Sequence, residues 1–128
     1  MTYDDLLGRP WALPCNPPHS YDCWALAVEV RKRMGLETHT YRVPDQSRTA
    51  AHRMAMRSPD PAKWQKLDTP QDGCLVGFGK RFVSHCGVYI DGMVIHSNLL
   101  PKVGGIVSSH PLAVAEAHMG EASFWEMT

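Results

Sequence analysis

The strongest constraint on the fold of this chain is a two-residue turn between two short apolar runs. The runs "SHCGVYI" and "MVIHSN" are rich in residues that favour β-strands, and Asp91-Gly92 stands between them. An Asp-Gly pair readily takes the positive φ angles that a two-residue hairpin turn needs. The sequence therefore predicts an antiparallel hairpin in the second half of the chain.

A helix over residues 23–34 is the second clear signal. Asp22 stands at the N-cap position, basic residues crowd the last turn, and Gly35 follows where many helices end in a left-handed conformation. The predicted apolar face consists of Trp24, Leu26, Ala27, Val28 and Val30.

The other segments complete an α+β pattern. Residues 46–57 predict a second helix that the prolines of "SPDP" end, and "GCLVGFG" and "IVSS" predict further strands. A short helix follows Pro111, an apolar "SFWEM" run follows that helix, and the proline-rich residues 1–20 predict an irregular approach segment. We expect one domain over residues 1–128, with N-terminal helices packed on a small antiparallel meander.

Composition argues against two classes of partner. Thirteen Lys plus Arg balance thirteen Asp plus Glu, so the chain lacks the basic excess that drives nucleic-acid binding. No run approaches the roughly 20 apolar residues of a membrane span. The N-terminal run "MTYDDLLGRP" is acidic where a signal peptide needs positive charge, so we expect synthesis without a classical export signal.

Four cysteines are present, and their spacing indicates no metal ribbon and no redox pair. Cys15, Cys23, Cys74 and Cys86 include no C-x-x-C motif. Most free cysteines are inert packing residues, so we expect four thiols. Cys23 is the exception, because a helix N-terminus favours the thiolate, which is the nucleophilic form. The alternative is that Cys23 only packs beneath its neighbours.

Two histidines on the predicted hairpin strengthen the case for a nucleophile. If Met93 pairs with Tyr89 or Ile90, then His85 and His96 lie near the same end of adjacent strands. A cysteine nucleophile needs a general base, and that base needs an orienting partner on its other ring nitrogen. The pair satisfies both needs if the two side chains share a face of the sheet. Taken singly, each histidine is more typical of a half-buried structural residue.

Three segments together resemble the NlpC-type cell-wall cysteine peptidases, and most closely their bacteriophage tail-assembly branch. They are "LGRPWALPCNPPHSYDCWALAVEVRKRMGLE", "TPQDGCLVGFG" and "SHCGVYIDGMVIHS". The resemblance implies a papain-like fold and hydrolysis of peptidoglycan stem peptides, typically between D-glutamate and a diamino acid. It makes Cys23 the nucleophile, His85 the base and His96 the orienting residue, without metal or organic cofactor. The expected partners are the stem peptide and other tail-tip proteins.

The sequence also departs from the pattern of this family. Trp11 stands where the family has an aromatic hydroxyl, Ala25 replaces a glycine, and Cys86 replaces an aliphatic residue beside the base. Trp11, through its indole N–H, and Trp24 are the candidates for oxyanion and substrate binding. We expect a protein made in the host cytoplasm that acts from the virion tail tip on the cell wall.

Two alternatives to this reading stay open. The first is a tail-tip assembly protein that keeps the fold with weak or no hydrolysis, with Met54 and Met56 on a partner surface. The second is a metal site that uses Cys23, His85 and His96 as ligands.

Overall fold

The structure, a computed structural model, describes residues 3–12, 15–38, 64–79, 85–100 and 104–127. The strands are β1 (Trp64–Leu67), β2 (Leu75–Phe78), β3 (His85–Ile90), β4 (Met93–Leu100), β5 (Gly104–Pro111) and β6 (Ala122–Met127). The helices are α1 (Cys23–Arg33) and α2 (Leu112–Met119), and a 3-10 turn covers Asp4–Leu6. The α+β class is confirmed. The helix predicted over residues 46–57, with Met54 and Met56, lies outside the described residues.

Helix α1 forms where the sequence predicts it and ends one residue earlier. Beyond Met34, the N–H of Gly35 donates to Lys32 at 3.0 Å and the N–H of Leu36 donates to Arg31 at 2.9 Å, which is a Schellman ending. Gly35 has a φ of 79°, a backbone angle that favours glycine. The ends of α1 are therefore fixed locally, as the capping residues indicate.

The predicted hairpin is also confirmed. Asp91 and Gly92 both have positive φ angles, 49° and 81°, as a type I′ turn requires. Ile90 pairs with Met93 and Val88 pairs with Ile95, which is one of the two registers that the sequence allows.

The predicted meander is correct only for β2 to β5. The six-stranded sheet has the order β1-β6-β2-β3-β4-β5, so the last strand returns between β1 and β2. Strand β1 is not predicted from the sequence because only Trp64 of its four residues is fully buried, which gives no clear alternation.

The N-terminal segment is more ordered than its prolines suggest. The backbone of residues 8–11 runs beside β5, with hydrogen bonds of 2.8 Å from Gly8 to Val107, from Val107 to Arg9 and from Trp11 to Gly105. Proline lacks a backbone donor, but it is compatible with the edge of a sheet. Residues 8–11 are thus held against the sheet through an isolated bridge between Pro10 and Ile106, without forming a regular strand.

The sheet has a buried cluster on each face. The cluster beneath α1 includes Leu26, Ala27, Val30, Cys86, Val88 and Ile95. The cluster on the α2 face includes Cys74, Val76, Phe78, Val94 and Ala115. Neither described helix has the length and hydropathy needed to cross a bilayer.

A buried cation fixes the end of α1 to distant strands. Arg31 is 1% exposed, forms an ion pair with Glu126 of β6 at 3.0 Å and donates to the carbonyl of Gly73. Its guanidinium also lies 5.2 Å from the ring centre of Trp64. These contacts hold α1 against β1, β6 and the turn before β2.

Candidate active site

Cys23 is the first residue of α1, as predicted from the sequence. The side chain of Asp22 caps the helix, because its Oδ1 accepts a hydrogen bond from the Ala25 N–H at 2.7 Å. Cys23 is half-buried against the cluster beneath α1. The positive end of the helix dipole thus acts on a sulfur that is partly shielded from water.

His85 and His96 meet across the hairpin. Nε2 of His85 lies 2.7 Å from Nδ1 of His96, and the ring centres are 5.0 Å apart at an interplanar angle of 63°. His85 begins β3 and His96 lies on β4, and the register of the two strands puts both side chains on one face. The structure therefore brings the two predicted histidines into direct hydrogen-bond contact.

The Cys23 thiol has two hydrogen-bonding neighbours, Cys86 and His85. The Cys86 hydrogen bond first, and then the hydrogen bond and charge of His85, hold the pKa of Cys23 well below its ordinary value, although burial opposes them. The same contact with Cys23, together with burial, raises the pKa of Cys86. We assign the thiolate to Cys23 because both His85 and the helix dipole act on it.

His96 is suited to orient His85. It is 1% exposed, and burial together with the charges of His85 and His110 lowers its pKa to about 3. His96 is therefore neutral near pH 7, and its Nδ1 can accept the Nε2 proton of His85. Since Nε2 of His85 is engaged in this way, its Nδ1 is the nitrogen left to face Cys23. Phe78 stacks on the His85 ring, with centroids 5.7 Å apart.

The profile of the NlpC/P60 family matches residues 8–119, a span that contains Cys23, His85 and His96. The chain belongs to the NlpC/P60 family. Domains of this family are generally cysteine peptidases or amidases that act on the bacterial cell wall, and a helix-start cysteine beside paired histidines is compatible with that chemistry. No significant match was found among curated proteins or among solved structures.

This NlpC/P60 domain has one further imidazole that the sequence analysis missed. Nε2 of His96 lies 2.9 Å from Nδ1 of His110, which follows Ser109 near the end of β5. The predicted strand ended at Ser109 because Pro111 comes next. Beyond Val107 the residues Ser108, Ser109 and His110 show no apolar–polar alternation, so no local signal indicates that the strand continues to His110.

Of the two tryptophans proposed for this NlpC/P60 site, Trp24 is the second residue of α1 and Trp11 lies on the segment beside β5. Trp24 packs edge-on against Trp64, with ring centres 6.4 Å apart, and is partly buried against the core. Trp11 is half-buried on the segment beside β5. The preceding carbonyl, that of Pro10, accepts the N–H of Tyr21 at 3.0 Å, which ties this segment to the start of α1. The roles of Trp11 and Trp24 in binding stay predictions.

The metal-site alternative has no ligand set in the part of the NlpC/P60 domain that the structure describes. No group of three or more His, Cys, Asp or Glu side chains there is arranged to hold a metal ion. Geometry explains why Cys23, His85 and His96 do not form such a group. Nε2 of His85 and Nδ1 of His96 share a hydrogen bond, so these two nitrogens do not converge with Cys23 on a common point.

Proposed function

We propose that this domain is a phage tail-associated peptidoglycan endopeptidase that hydrolyses stem-peptide amide bonds by a Cys-His-His mechanism. The observation that carries the proposal is the 2.7 Å contact between Nε2 of His85 and Nδ1 of His96, beside a helix-start cysteine whose pKa His85 helps to lower. It supplies a nucleophile with a lowered pKa, a base within hydrogen-bond reach, and a neutral acceptor that orients the base.

The first half of the reaction cleaves the amide. The Cys23 thiolate attacks the carbonyl carbon and forms a tetrahedral oxyanion. The intermediate collapses as His85 gives its proton to the leaving nitrogen, so the C–N bond breaks and the amine departs. A thioester between Cys23 and the acyl part of the stem peptide remains.

The second half regenerates the enzyme. His85, now neutral, removes a proton from water, and the resulting hydroxide attacks the thioester carbonyl. The C–S bond breaks, the carboxylic acid leaves, and the thiolate and imidazolium are restored. His96 stays neutral throughout and keeps the His85 ring in place.

The oxyanion in both halves needs hydrogen-bond donors. The Asp22 carboxylate accepts from the N–H groups of Trp24 and Ala25. The N–H of Cys23 is therefore the helix-start donor that the cap does not occupy, and we assign it to the oxyanion. The indole N–H of Trp11 is the proposed second donor, in place of the aromatic hydroxyl found in the family. Losing one such donor typically slows catalysis about 10²- to 10³-fold.

The phage setting rests on the resemblance of three segments together, which are the helix-start region, "TPQDGCLVGFG" and "SHCGVYIDGMVIHS", to the tail-assembly branch. In that setting the protein is made in the host cytoplasm and acts from the virion tail tip on the cell wall. Its partners are the stem peptide and other tail-tip proteins. The bond between D-glutamate and a diamino acid is the substrate that the family resemblance implies.

Digestion of purified peptidoglycan, with the products identified by mass spectrometry, tests the proposal. We expect the wild-type protein to release stem-peptide fragments and Cys23→Ala to release none. Cys74→Ala is a matched control, because it removes a thiol that is buried in the other core cluster. Equal product from wild type and Cys23→Ala would contradict the assignment.

The alternative is a tail-tip assembly protein that keeps the fold with weak or no hydrolysis. The departures at Trp11, Ala25 and Cys86 favour it, since they lie at the oxyanion donor, the first turn of α1 and the thiol contact. A phage that carries Cys23→Ala separates the two functions. Full infectivity, together with no product from the wild-type protein even in assembled tails, would support the structural role.

A further inference from the structure

His85, His96 and His110 form a row of three imidazoles on the α2 face of the sheet. Successive rings are joined in the same way, from Nε2 of one histidine to Nδ1 of the next, at 2.7 Å and 2.9 Å. The ring centres are 5.0 Å and 5.1 Å apart, at interplanar angles of 63° and 70°. His110 therefore contacts His96 with the same geometry with which His96 contacts His85.

The strand pairing explains why the row is regular. Ser108 lies opposite His96 and His110 lies opposite Val94, so His110 is the diagonal neighbour of His96 on the same face. Gly87 of β3 has no side chain, and the His96 ring has space to lie toward His85 on that side. Three adjacent strands thus each supply one histidine.

The two contacts limit which ring nitrogen of each histidine can carry a proton. An imidazolium at His85 donates its Nε2–H to Nδ1 of His96, which must then hold a lone pair. Neutral His96 carries its single proton on Nε2 and donates it to Nδ1 of His110. A neutral His110 with its proton on Nε2 presents the lone pair that this arrangement needs. The opposite tautomer of His96 would place two N–H groups face to face at the His85 contact.

We propose that His110 is a positioning residue that fixes the tautomer of His96 and, through it, the orientation of His85. The proposal rests on the proposed function, because the orientation of His85 matters only if His85 is the base. The proposal adds His110 to the three residues that the family resemblance names, Cys23, His85 and His96.

Water alone would not replace His110 in this role. Behind His96 and His110 lies a cavity of about 230 Å³, lined also by Ile106, Ser108, Ala115 and His118, so water can enter if the His110 ring is removed. A water molecule both donates and accepts, and it would satisfy Nε2 of His96 in either tautomer. The buried ring would remain hydrogen-bonded, but while His85 is neutral, as in the thioester intermediate, nothing would assign the proton of His96 to one nitrogen.

Three substitutions at residue 110 test the proposal. His110→Phe keeps a ring without an acceptor, His110→Ala opens the cavity, and His110→Asn keeps an acceptor close to the place of Nδ1. The first readout is ¹⁵N NMR of histidine-labelled protein, which reports the tautomer of His96 without any substrate. The second is kcat and KM on a soluble peptide that contains a D-glutamyl-diamino acid bond.

At a pH at which His85 is neutral, we expect His96 to hold its proton on Nε2 in the wild type and in His110→Asn, and to populate both tautomers in His110→Phe and His110→Ala. In the last two variants kcat should fall about 10- to 100-fold with little change in KM, and His110→Asn should recover most of the loss. His118→Ala is the matched control, because it removes an exposed imidazole from the same cavity.

Two results would overturn the proposal. One is an unchanged His96 tautomer and an unchanged kcat in folded His110→Phe. The other is a loss of kcat in His110→Asn as large as that in His110→Phe, because the acceptor would then be irrelevant. If the wild-type protein hydrolyses no peptide, the proposed function fails, and the NMR spectra still decide whether His110 sets the tautomer of His96.

Discussion

Gly87 lies so close to His96 that a β-carbon on the glycine would stand 3.0 Å from the Cβ of the histidine. The same β-carbon would lie 2.7 Å from Cγ1 of Val94 and 2.9 Å from the carbonyl oxygen of Ile95. Gly87→Ala should therefore push His96 away from His85. We expect the free energy of unfolding to fall by about 1–3 kcal/mol, measured by thermal unfolding. The peptidase rate should fall by more than the loss of folded protein explains.

The double variant Gly87→Ala/Val94→Ala separates packing from site geometry. Val94→Ala removes the closest side-chain contact but leaves the contact with His96. The double variant should regain part of the lost melting temperature and little of the lost activity. Full recovery of activity would show that Gly87 matters only for packing beside Val94.

His85 and His96 should respond differently to substitution. His85→Ala removes the base and should lower turnover to the level of Cys23→Ala. His96→Gln keeps an acceptor for the Nε2 proton of His85 and should retain about 1–10% of the rate. Initial rates on a soluble stem peptide measure both. If His96→Gln is as inactive as His85→Ala while both variants stay folded, the two roles are assigned wrongly.

The buried His96 should make stability depend on pH. Its pKa is about 3 in the folded protein and close to 6.5 when unfolded, so between these values the unfolded chain binds more protons. The free energy of unfolding should fall as the pH drops from about 6.5 toward 3, by at most about 1.4 kcal/mol per pH unit from this group. Denaturant unfolding at several pH values measures the slope.

A matched pair of variants attributes that slope to one histidine. His96→Gln should flatten it, whereas His19→Gln, at an exposed position, should leave it unchanged. An equal slope in wild type and His96→Gln would mean that other groups cause the acid sensitivity.

Cys23 should be the first thiol to react with iodoacetamide at neutral pH. Its lowered pKa gives it the largest thiolate fraction, while burial raises the pKa of Cys15 and of Cys74, and the contact with Cys23 raises that of Cys86. Mass mapping of the adducts over time gives the order. Alkylation of Cys74 or Cys86 ahead of Cys23 would count against the nucleophile assignment.

Cys86 itself should tune the nucleophile. Cys86→Val keeps a small apolar side chain but removes the hydrogen bond that contributes most to the lowered pKa of Cys23. The pH at which the alkylation rate of Cys23 is half-maximal should move upward, and its alkylation at pH 7 should slow. Cys74→Val, in the other core cluster, should change neither quantity. An unmoved profile for Cys86→Val would leave Cys86 as simple packing.

The features that the sequence predicts correctly are those set by neighbours in the chain. Asp22 and Gly35 bound α1, and Asp91-Gly92 fixes the hairpin, so the contact of His85 with His96 follows from one short segment. The position of β6 could not be predicted in this way, because its pairing with β1 and β2 joins distant segments.

Two misses have similar causes. Pro111 obscured the end of β5 and hid His110, although a proline is tolerated at the end of a strand. The basic last turn of α1 likewise does not indicate that Arg31 is buried, where it forms an ion pair with Glu126 and donates to the Gly73 carbonyl. Neither partner is visible from the local pattern.

The ion pair between Arg31 and Glu126 has a consequence for the order of events during synthesis. The two residues are 95 positions apart, so Arg31 leaves the ribosome long before its counter-charge does. A guanidinium docked without that partner would be a buried unpaired charge, which is strongly unfavourable. We therefore expect α1 to settle on the sheet only after β6 has emerged, and the pKa of Cys23 to be lowered by Cys86 and His85 only from then on.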